Sequence, residues 1–597
     1  MRRQKTPMLS DFHVTPRIAY ISGLALIVGI LCALIAVILM KMIGLVTNLA
    51  FYHRFSLAFI PDSPNHLGWS LIFVPIIGGL IIGVMARYGS EKIRGHGIPE
   101  ALEAILIGKS LIKLRVAILK PISAAISIGT GGPFGAEGPI IMTGGSVASL
   151  FAQFFPLTAS ERKILLVAGA AGGMSATFAA PVASVLFAVE LLVFEMRPRS
   201  LVPIAIASAV ADVVRAHLIG AGPMFPSSAS PLLSPLGIII AVTFGLLGGG
   251  LAVLLTRAIY GMEDLFHKLP VHWMWWPAIG GLIIGIGGLI VPQSLGVGYV
   301  SIAQLVQGHM LLSLAIGILV VKSLIWVGAL SSGTSGGILA PLLIIGGALG
   351  DALAQLLHFP GHGAWAMLGM AAAFAGVTRS PLTTVVFILE LTHDVDMLMP
   401  LLITSAIATA LSATVLPRSI LTEKIARRGL HIARDYAVDT LEQRLVKEVM
   451  TQAPTTLCAN DTAEQAMATI VLHPERYRYD AYPLVDSKGY VVGVASLKAL
   501  LAHAGDPKSA PKALQMLFTE PFETITPDDT LRVAIEKMAV GTSDLLLILD
   551  DTSQCVGIVT RSDIIKARQR QLDEETVRVR YFPFVHKARD HGTERIL

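Results

Sequence analysis

Long apolar runs dominate the chain as far as Leu416. The clearest are Tyr20–Phe51, Trp69–Ala86, Leu236–Leu255, Met274–Val291, Leu311–Leu330 and Met397–Leu416. An α-helix needs ~20 residues to cross a bilayer, so these runs predict spanning helices. Between them lie shorter apolar pieces broken by Gly and Pro, which predict tilted or half-crossing helices. From Val449 onward the pattern becomes that of a soluble α/β fold. Two units of one grammar follow each other, 449–501 and 522–565, each reading helix, two strands, short helix. Asp461 and Asp528 stand where an N-cap would open the first helix of each unit.

The apolar part contains its own repeat. Residues 180–191, A-P-V-A-S-V-L-F-A-V-E-L, align with 380–391, S-P-L-T-T-V-V-F-I-L-E-L, at an offset of 200. Pro181 pairs with Pro381, Phe187 with Phe387 and Glu190 with Glu390. Residues 137–145, E-G-P-I-I-M-T-G-G, align with 339–347, L-A-P-L-L-I-I-G-G, at an offset of 202. Two halves with matched Gly/Pro-broken segments are the sign of a transporter fold whose site lies at the repeat interface.

The stretch Gly129–Gly145, G-T-G-G-P-F-G-A-E-G-P-I-I-M-T-G-G, holds one carboxylate, Glu137, in an apolar setting. Irregular backbone at membrane depth survives only where it is buried in protein or lines a wet cavity. A lone carboxylate there is costly and marks a functional site. The glycines let backbone approach an ion closely. A helix opening near Pro139 would point its N-terminal amides at that ion, which should therefore be an anion. The alternative, a tight glycine-packed helix crossing, leaves the glutamate unexplained.

Composition agrees. The chain has 597 residues, 53% hydrophobic and only 15% charged, with mean hydropathy +0.68. Soluble domains carry about 25% charged residues, so a membrane protein is expected. The net charge of +5 calls for no nucleic-acid partner and fits a basic surface facing the cytoplasmic leaflet. Arg2, Arg3, Lys5 and Arg17 place the N-terminus in the cytoplasm, and the first apolar run is too long for a secretory signal. Cys32, Cys458 and Cys555 imply no disulfide framework. The expected domains are an arm over 1–17, a membrane domain over 18–417 with halves at about 18–219 and 236–417, and a cytoplasmic linker over 418–448. The soluble units follow over 449–506 and 513–571, then a polar tail over 572–597. A Pro-, Ser- and Gly-rich joint, Gly220–Pro235, separates the two membrane halves.

At this point the chain resembles the CLC family of chloride channels and chloride/proton antiporters, of the bacterial type that ends in a pair of CBS domains. The resemblance rests on five motifs in order: G-H-G-I-P-E (95–100), G-A-E-G-P (135–139), A-A-P-V-A-S-V-L-F-A-V-E (179–190), G-G-I-L-A-P (336–341) and R-S-P-L-T-T-V-V-F-I-L-E (379–390). It implies an α-helical membrane fold, an inverted repeat of tilted and broken helices, followed by a soluble α/β CBS pair. It also implies a homodimer in the inner (plasma) membrane, with one chloride pathway per subunit. Glu137 would be the gate, taking an anion's place when ionised and swinging away when protonated or displaced. Such a gate should respond to pH near the physiological range. Chloride would be held by the amides of Ile338 and Leu339, with His96, Gly97 and Leu421 also at the site. Amides hold an anion weakly enough for release.

Four positions depart from the antiporter pattern. His96 replaces the serine that usually faces the central anion. It is read either as a capping side chain turned away from the pathway or as a donor that tunes selectivity with pH. Ala136 replaces the arginine before the gate, and Leu421 replaces the tyrosine that closes the inner side. Leu191 replaces the second glutamate, which passes protons. Glu190 is retained, and its counterpart Glu390 favours a shared structural role over a relay. Any proton route would have to use Glu137 and Glu190. These losses lean towards a passive channel, voltage-gated or otherwise. The alternative is an antiporter with a non-standard proton route, such as a water wire.

G-I-V-T-R-S-D (557–563) resembles the adenosine-phosphate motif of CBS domains, with Thr560, Ser562 and Asp563 as contacts. The first unit has Ala499 at the Asp position, so at most one nucleotide site is expected. The pair could equally serve only to pack. No metal site and no required cofactor are expected. No P-loop, H-E-x-x-H or G-x-S-x-G motif supports an enzyme. A CBS-regulated divalent-cation transporter would want several membrane acids, which this chain lacks.

Overall fold

The computed structural model describes residues 16–59, 67–106, 108, 110–227, 235–428, 441, 444–473, 480–487, 489–506, 512–519, 522–540, 544–550 and 554–576. One compact unit ends at Arg428 and a second spans Gly429–Thr576. The N-terminal arm before Pro16, much of the Gly220–Pro235 joint, most of the expected linker and the tail beyond Thr576 lie outside the described residues.

The first unit is all helix. Its first half runs α1 Arg17–Tyr52, α2 Phe73–Tyr88, α3 Ile98–Leu106, α4 Leu114–Gly129, α5 Glu137–Gln153, α6 Ala159–Phe178, α7 Pro181–Phe187 and α8 Pro198–Leu218. The second runs α9 Pro235–His267, α10 Trp276–Ile290, α11 Tyr299–Gln307, α12 Leu312–Gly317, α13 Ser323–Ser331, α14 Leu339–Leu356, α15 His362–Thr378, α16 Pro381–Thr392, α17 Leu398–Val415 and α18 Ile420–Ala426. Among the described residues, eight helical stretches are long and apolar enough to cross a membrane. Two of these, Pro198–Leu218 and Leu339–Leu356, escape a reading by apolar runs. The first carries Arg199, Asp212 and Arg215, which dilute its hydropathy. The second carries Asp351 and is mostly buried inside the protein.

The helices sort by depth. From Ile164 to Phe178, α6 is buried throughout, and α5, α14 and α15 are nearly so. Around them, α1, α9 and α10 leave Ile38, Leu254 and Ile290 exposed. A water-facing surface does not carry so broad an apolar band, whereas lipid does. Close crossings use small residues: a Cβ on Gly144 of α5 would lie 2.4 Å from the Gly169 carbonyl oxygen of α6. The second half repeats this, with a Cβ on Gly346 of α14 lying 2.3 Å from the Gly369 carbonyl oxygen of α15.

One expected boundary moves. The segment after Arg418 does not run as a free linker from the start. Ile420, Leu421 and Ile425 of α18 are buried, and Lys424 binds Glu100 of α3 at 2.9 Å. Counting charges hid this apolar face.

The second unit holds two small α/β modules. Its elements are β1 Thr451–Gln452, β2 Leu457–Cys458, α19 Ala463–Leu472, β3 Ala481–Val485, β4 Val491–Ser496, α20 Leu497–Ala504 and α21 Leu514–Leu517. Then come β5 Thr524–Ile525, α22 Leu531–Val540, β6 Leu545–Leu549, β7 Cys555–Thr560 and α23 Arg561–Thr576. The sheets are ordered β2-β3-β4 and β1-β7-β6-β5, so β1 completes the sheet of the second module. Leu457, Tyr482 and Leu484 centre one core, and Ile525, Leu546 and Val559 the other. The expected caps shift: Thr462, not Asp461, caps α19 in a capping box with Gln465, and Asp528 pairs with Lys447 at 2.8 Å.

Candidate functional site: an anion seat between two repeats

Gly135 and Gly337 are equivalent positions of the repeat, and they bond to each other. Gly337 N–H donates to the Gly135 carbonyl at 2.8 Å, and Gly135 N–H donates to the Gly337 carbonyl at 3.2 Å. A residue that exchanges both bonds with its own counterpart lies on a local two-fold axis. Around this axis meet the loops that open α3, α5, α11 and α14. Gly336 N–H reaches the Gly95 carbonyl at 3.4 Å, and Gly296 N–H reaches the Gly131 carbonyl at 3.1 Å.

Glu137 opens α5 at this junction and is fully buried. Its Oε1 accepts the backbone N–H of Ala340, in the first turn of α14, and the Leu339 amide also acts on the carboxylate. Its Oε2 has no partner among the described residues. The carboxylate folds over Gly135, where a Cβ would lie 1.8 Å from Oε2. One negative charge thus rests on the amides of a helix start, a place suited equally to a halide. The hydrogen-bond donor is Ala340. The expected Ile338 is instead the N-cap residue of α14. Leu339 occupies the position equivalent to Glu137, so the symmetric frame carries a carboxylate at this position on one side only.

His96 lies between Gly95 and Gly97, whose φ values of +78° and +88° fall in the left-handed region. A Cβ on Gly138 would lie 2.1 Å from the His96 carbonyl oxygen, so this loop packs directly on the residue after Glu137. The His96 ring makes no capping bond: its Nδ1 is buried without a partner among the described residues. The residue lines a cavity of about 470 Å³ together with Lys92, Arg94, Tyr260, Ile420, Lys424, Arg427 and Arg428. Five Lys and Arg side chains face two carboxylates there, Glu91 and Glu263. Arg94 stacks on Trp273 and Arg427 on Tyr260, with 4.6 and 4.7 Å from the guanidinium carbon to the ring centroid. Leu421 is buried in α18, but it is Ile420 that lines the cavity, and its carbonyl accepts the Tyr260 hydroxyl at 2.6 Å.

Glu190 and Glu390 cap each other's halves. Thr383 donates to Glu190 Oε2 through its N–H at 2.8 Å and its hydroxyl at 2.5 Å. The amides of Val182 and Ala183 donate to the two oxygens of Glu390 at 2.9 and 2.8 Å. Leu191 is fully buried and carries no ionisable group.

Two buried lysines escaped the sequence reading. Lys120 Nζ donates to the carbonyls of Ile93 and Gly95 at 2.8 and 2.7 Å, and Lys322 Nζ to those of Ser294 and Gly296 at 2.9 and 3.3 Å. They stand 202 residues apart, behind the equivalent turns Gly95–Gly97 and Gly296–Gly298. The signal was the G-x-G common to 95–97 and 296–298, which also brings Tyr299 to the junction. In the soluble unit, Thr560 and Asp563 bond to one another. Thr560 N–H and hydroxyl reach Asp563 Oδ2 at 3.0 and 2.7 Å, closing the start of α23 as a capping box. Ser562 is exposed beside them. At the matching turn Ser496 accepts the Ala499 amide at 3.2 Å.

Comparison with known proteins agrees with this frame. The sequence pattern of voltage-gated chloride channels matches residues 78–413, and that of the CBS domain matches 446–506 and 515–570. The chain is 30% identical over 436 residues to the "H(+)/Cl(-) exchange transporter ClcA" of Klebsiella pneumoniae subsp. pneumoniae, covering 69% of this chain and 87% of that protein. It is 26% identical over 345 residues to the "Putative chloride channel protein ClcB-like" of Ralstonia nicotianae, covering 56% and 80%. Its fold is similar to that of a slow cyanobacterial Cl−/H+ antiporter, with a TM-score of 0.61, 24% identity and coverage of 70% and 98%. A eukaryotic CLC transporter superposes with a TM-score of 0.60 at 19% identity, covering 92% of this chain and 98% of that one.

Proposed function

This chain belongs to the voltage-gated chloride channel (CLC) family of anion transporters, and from that premise we propose that it exchanges chloride for protons through a pathway gated by Glu137. This is the alternative to the passive channel expected from Leu191. Relatives named as H+/Cl− exchange transporters, 30–31% identical, favour it.

The observation that carries the reading is the Glu137 carboxylate seated on the α14 amides. Chloride enters from the basic cavity, passes His96 and Gly97, and competes with that carboxylate for Leu339 and Ala340 N–H. A field of one sign in a cleft raises the local anion concentration. A displaced carboxylate that returns protonated carries one proton. The inward proton route is non-standard, since Glu190 is engaged by Thr383 and Leu191 relays nothing. Water in the cavity beside His96 supplies it.

The working unit is a homodimer in the inner membrane, with the N-terminus and the CBS pair in the cytoplasm. An adenine nucleotide would bind the second CBS module through Thr560, Ser562 and Asp563. A second reading, passive chloride flow, is favoured by the same engagement of Glu190. Purified full chain in liposomes decides: chloride and external pH are followed together after a chloride gradient is imposed. Exchange predicts uphill proton movement with chloride. Chloride flux alone assigns the passive reading, and no chloride flux overturns both.

A further inference from the structure

Two buried oxygens at the junction lack partners among the described residues: Glu137 Oε2 and the Tyr299 hydroxyl. Tyr299 is the first residue of α11, and Gly298 before it is left-handed at φ +78°. Its ring is held by Phe59, Phe225 and Phe178, with centroids at 5.9, 5.9 and 6.5 Å. Lys322 fixes the loop in front of it from behind. The hydroxyl therefore cannot swing out to water. The hydroxyl lies within electrostatic reach of the Glu137 charge.

A phenolic hydroxyl can donate, and an ionised carboxylate can only accept. Leaving both buried and unpaired costs free energy that a bond between them would recover. In the present conformation the carboxylate is committed to Ala340, and the two oxygens are not bonded. Once an anion takes the α14 amides, the carboxylate must leave, and the Tyr299 hydroxyl is a buried donor open to it. We propose that Tyr299 holds the displaced Glu137 side chain, giving the gate a second, defined seat on the α11 side. It acts as a positioning residue for the gate and rests on Glu137 being that gate.

The test is Tyr299→Phe in the full chain. This removes one oxygen and keeps the aromatic contacts. Chloride efflux from liposomes is measured with Tyr299→Phe in the native background and in Glu137→Ala. Expected is a roughly tenfold slower efflux, the scale of one hydrogen bond to a charged group, with half-saturation moved to higher chloride. In the Glu137→Ala background the hydroxyl has nothing to hold, and Tyr299→Phe changes nothing. An unchanged rate in the native background overturns the proposal. So does an equal loss in both backgrounds, which would mean that the hydroxyl acts on the anion or on folding. If Glu137→Ala alone leaves efflux untouched, the gating reading itself fails first, and this proposal falls with it.

Discussion

Glu190 caps the helix that begins at Pro381, and Glu390 caps the helix that begins at Pro181. The exchange is reciprocal, and together with the Gly135–Gly337 pair it fixes the two-fold relation between the halves. A carboxylate on a helix start stabilises by satisfying orphan amides and meeting the positive end of the dipole. Replacing Glu190 or Glu390 by Ala should each cost about 1–3 kcal/mol, because helix-start amides lose a charged acceptor. Both variants should melt earlier in detergent by similar amounts. The proton-to-chloride ratio of Glu190→Gln should match that of the parent chain. A changed ratio with unchanged melting would make Glu190 a proton relay instead.

The carboxylate of Glu137 and an incoming anion want the same amides, so removing the carboxylate should help the anion. Glu137→Ala should bind chloride about tenfold more tightly or better, on the scale of one charged hydrogen bond given up by the competitor. Titration calorimetry on purified protein reads this directly. The same variant should conduct chloride without moving protons, since the carboxylate at the seat is gone. Weaker chloride binding in Glu137→Ala would mean that the α14 amides are not the anion's seat.

The repeat was legible because Pro181/Pro381 and Glu190/Glu390 are sequence marks. The buried carboxylate at the junction was legible because a lone glutamate among glycines is costly in lipid unless it is used. Three things were not. The lysines Lys120 and Lys322 lie in helices whose apolar surroundings gave no hint that the ammonium groups turn inward to loop carbonyls. The Glu137 carboxylate rests on the Ala340 amide and not on the Ile338–Leu339 pair expected to hold chloride, because the amide that points at it depends on where the last non-helical turn falls. Tyr299 was invisible for a different reason: its partner set comes from Phe59, Phe178 and Phe225, far apart in the chain. No local pattern encodes such a meeting.

The fold of the carboxylate over Gly135 makes a second handle on the gate. A Cβ there would fall 1.8–2.0 Å from the Glu137 oxygens, and the nearest heavy atoms it meets are all in that one side chain. Gly135→Ala should therefore leave the backbone in place and push the carboxylate off α14. Its efflux rate should rise towards that of Glu137→Ala, and the double variant should be no faster than Glu137→Ala alone. Gly337→Ala is the contrasting case: its Cβ would meet the Gly135 carbonyl oxygen at 2.6 Å, which is backbone on the axis itself. That variant should lose folded protein on size exclusion. Native-like flux in Gly135→Ala would show that the gate rests elsewhere.

The basic cavity gives a salt-dependent expectation. Lys92, Arg94, Lys424, Arg427 and Arg428 outnumber the acids that share its wall, although several are paired, Arg427 with Asp264 at 2.5 Å and Lys92 with Glu103 at 3.2 Å. Exposed charges act over a Debye length of about 10 Å at 0.1 M salt and about 3 Å at 1 M. Lys92 is the best probe, since its side chain is 59% exposed and its loss strands no buried acid. Lys92→Glu should slow chloride entry several-fold at low ionic strength and converge on the parent rate near 1 M of an impermeant salt. Lys424→Met should behave otherwise. It leaves Glu100, buried at 1% side-chain exposure, without its shortest ion pair, so its deficit should persist at high salt and appear as lost stability. A Lys92→Glu deficit that salt does not remove would take the cavity out of the conduction path.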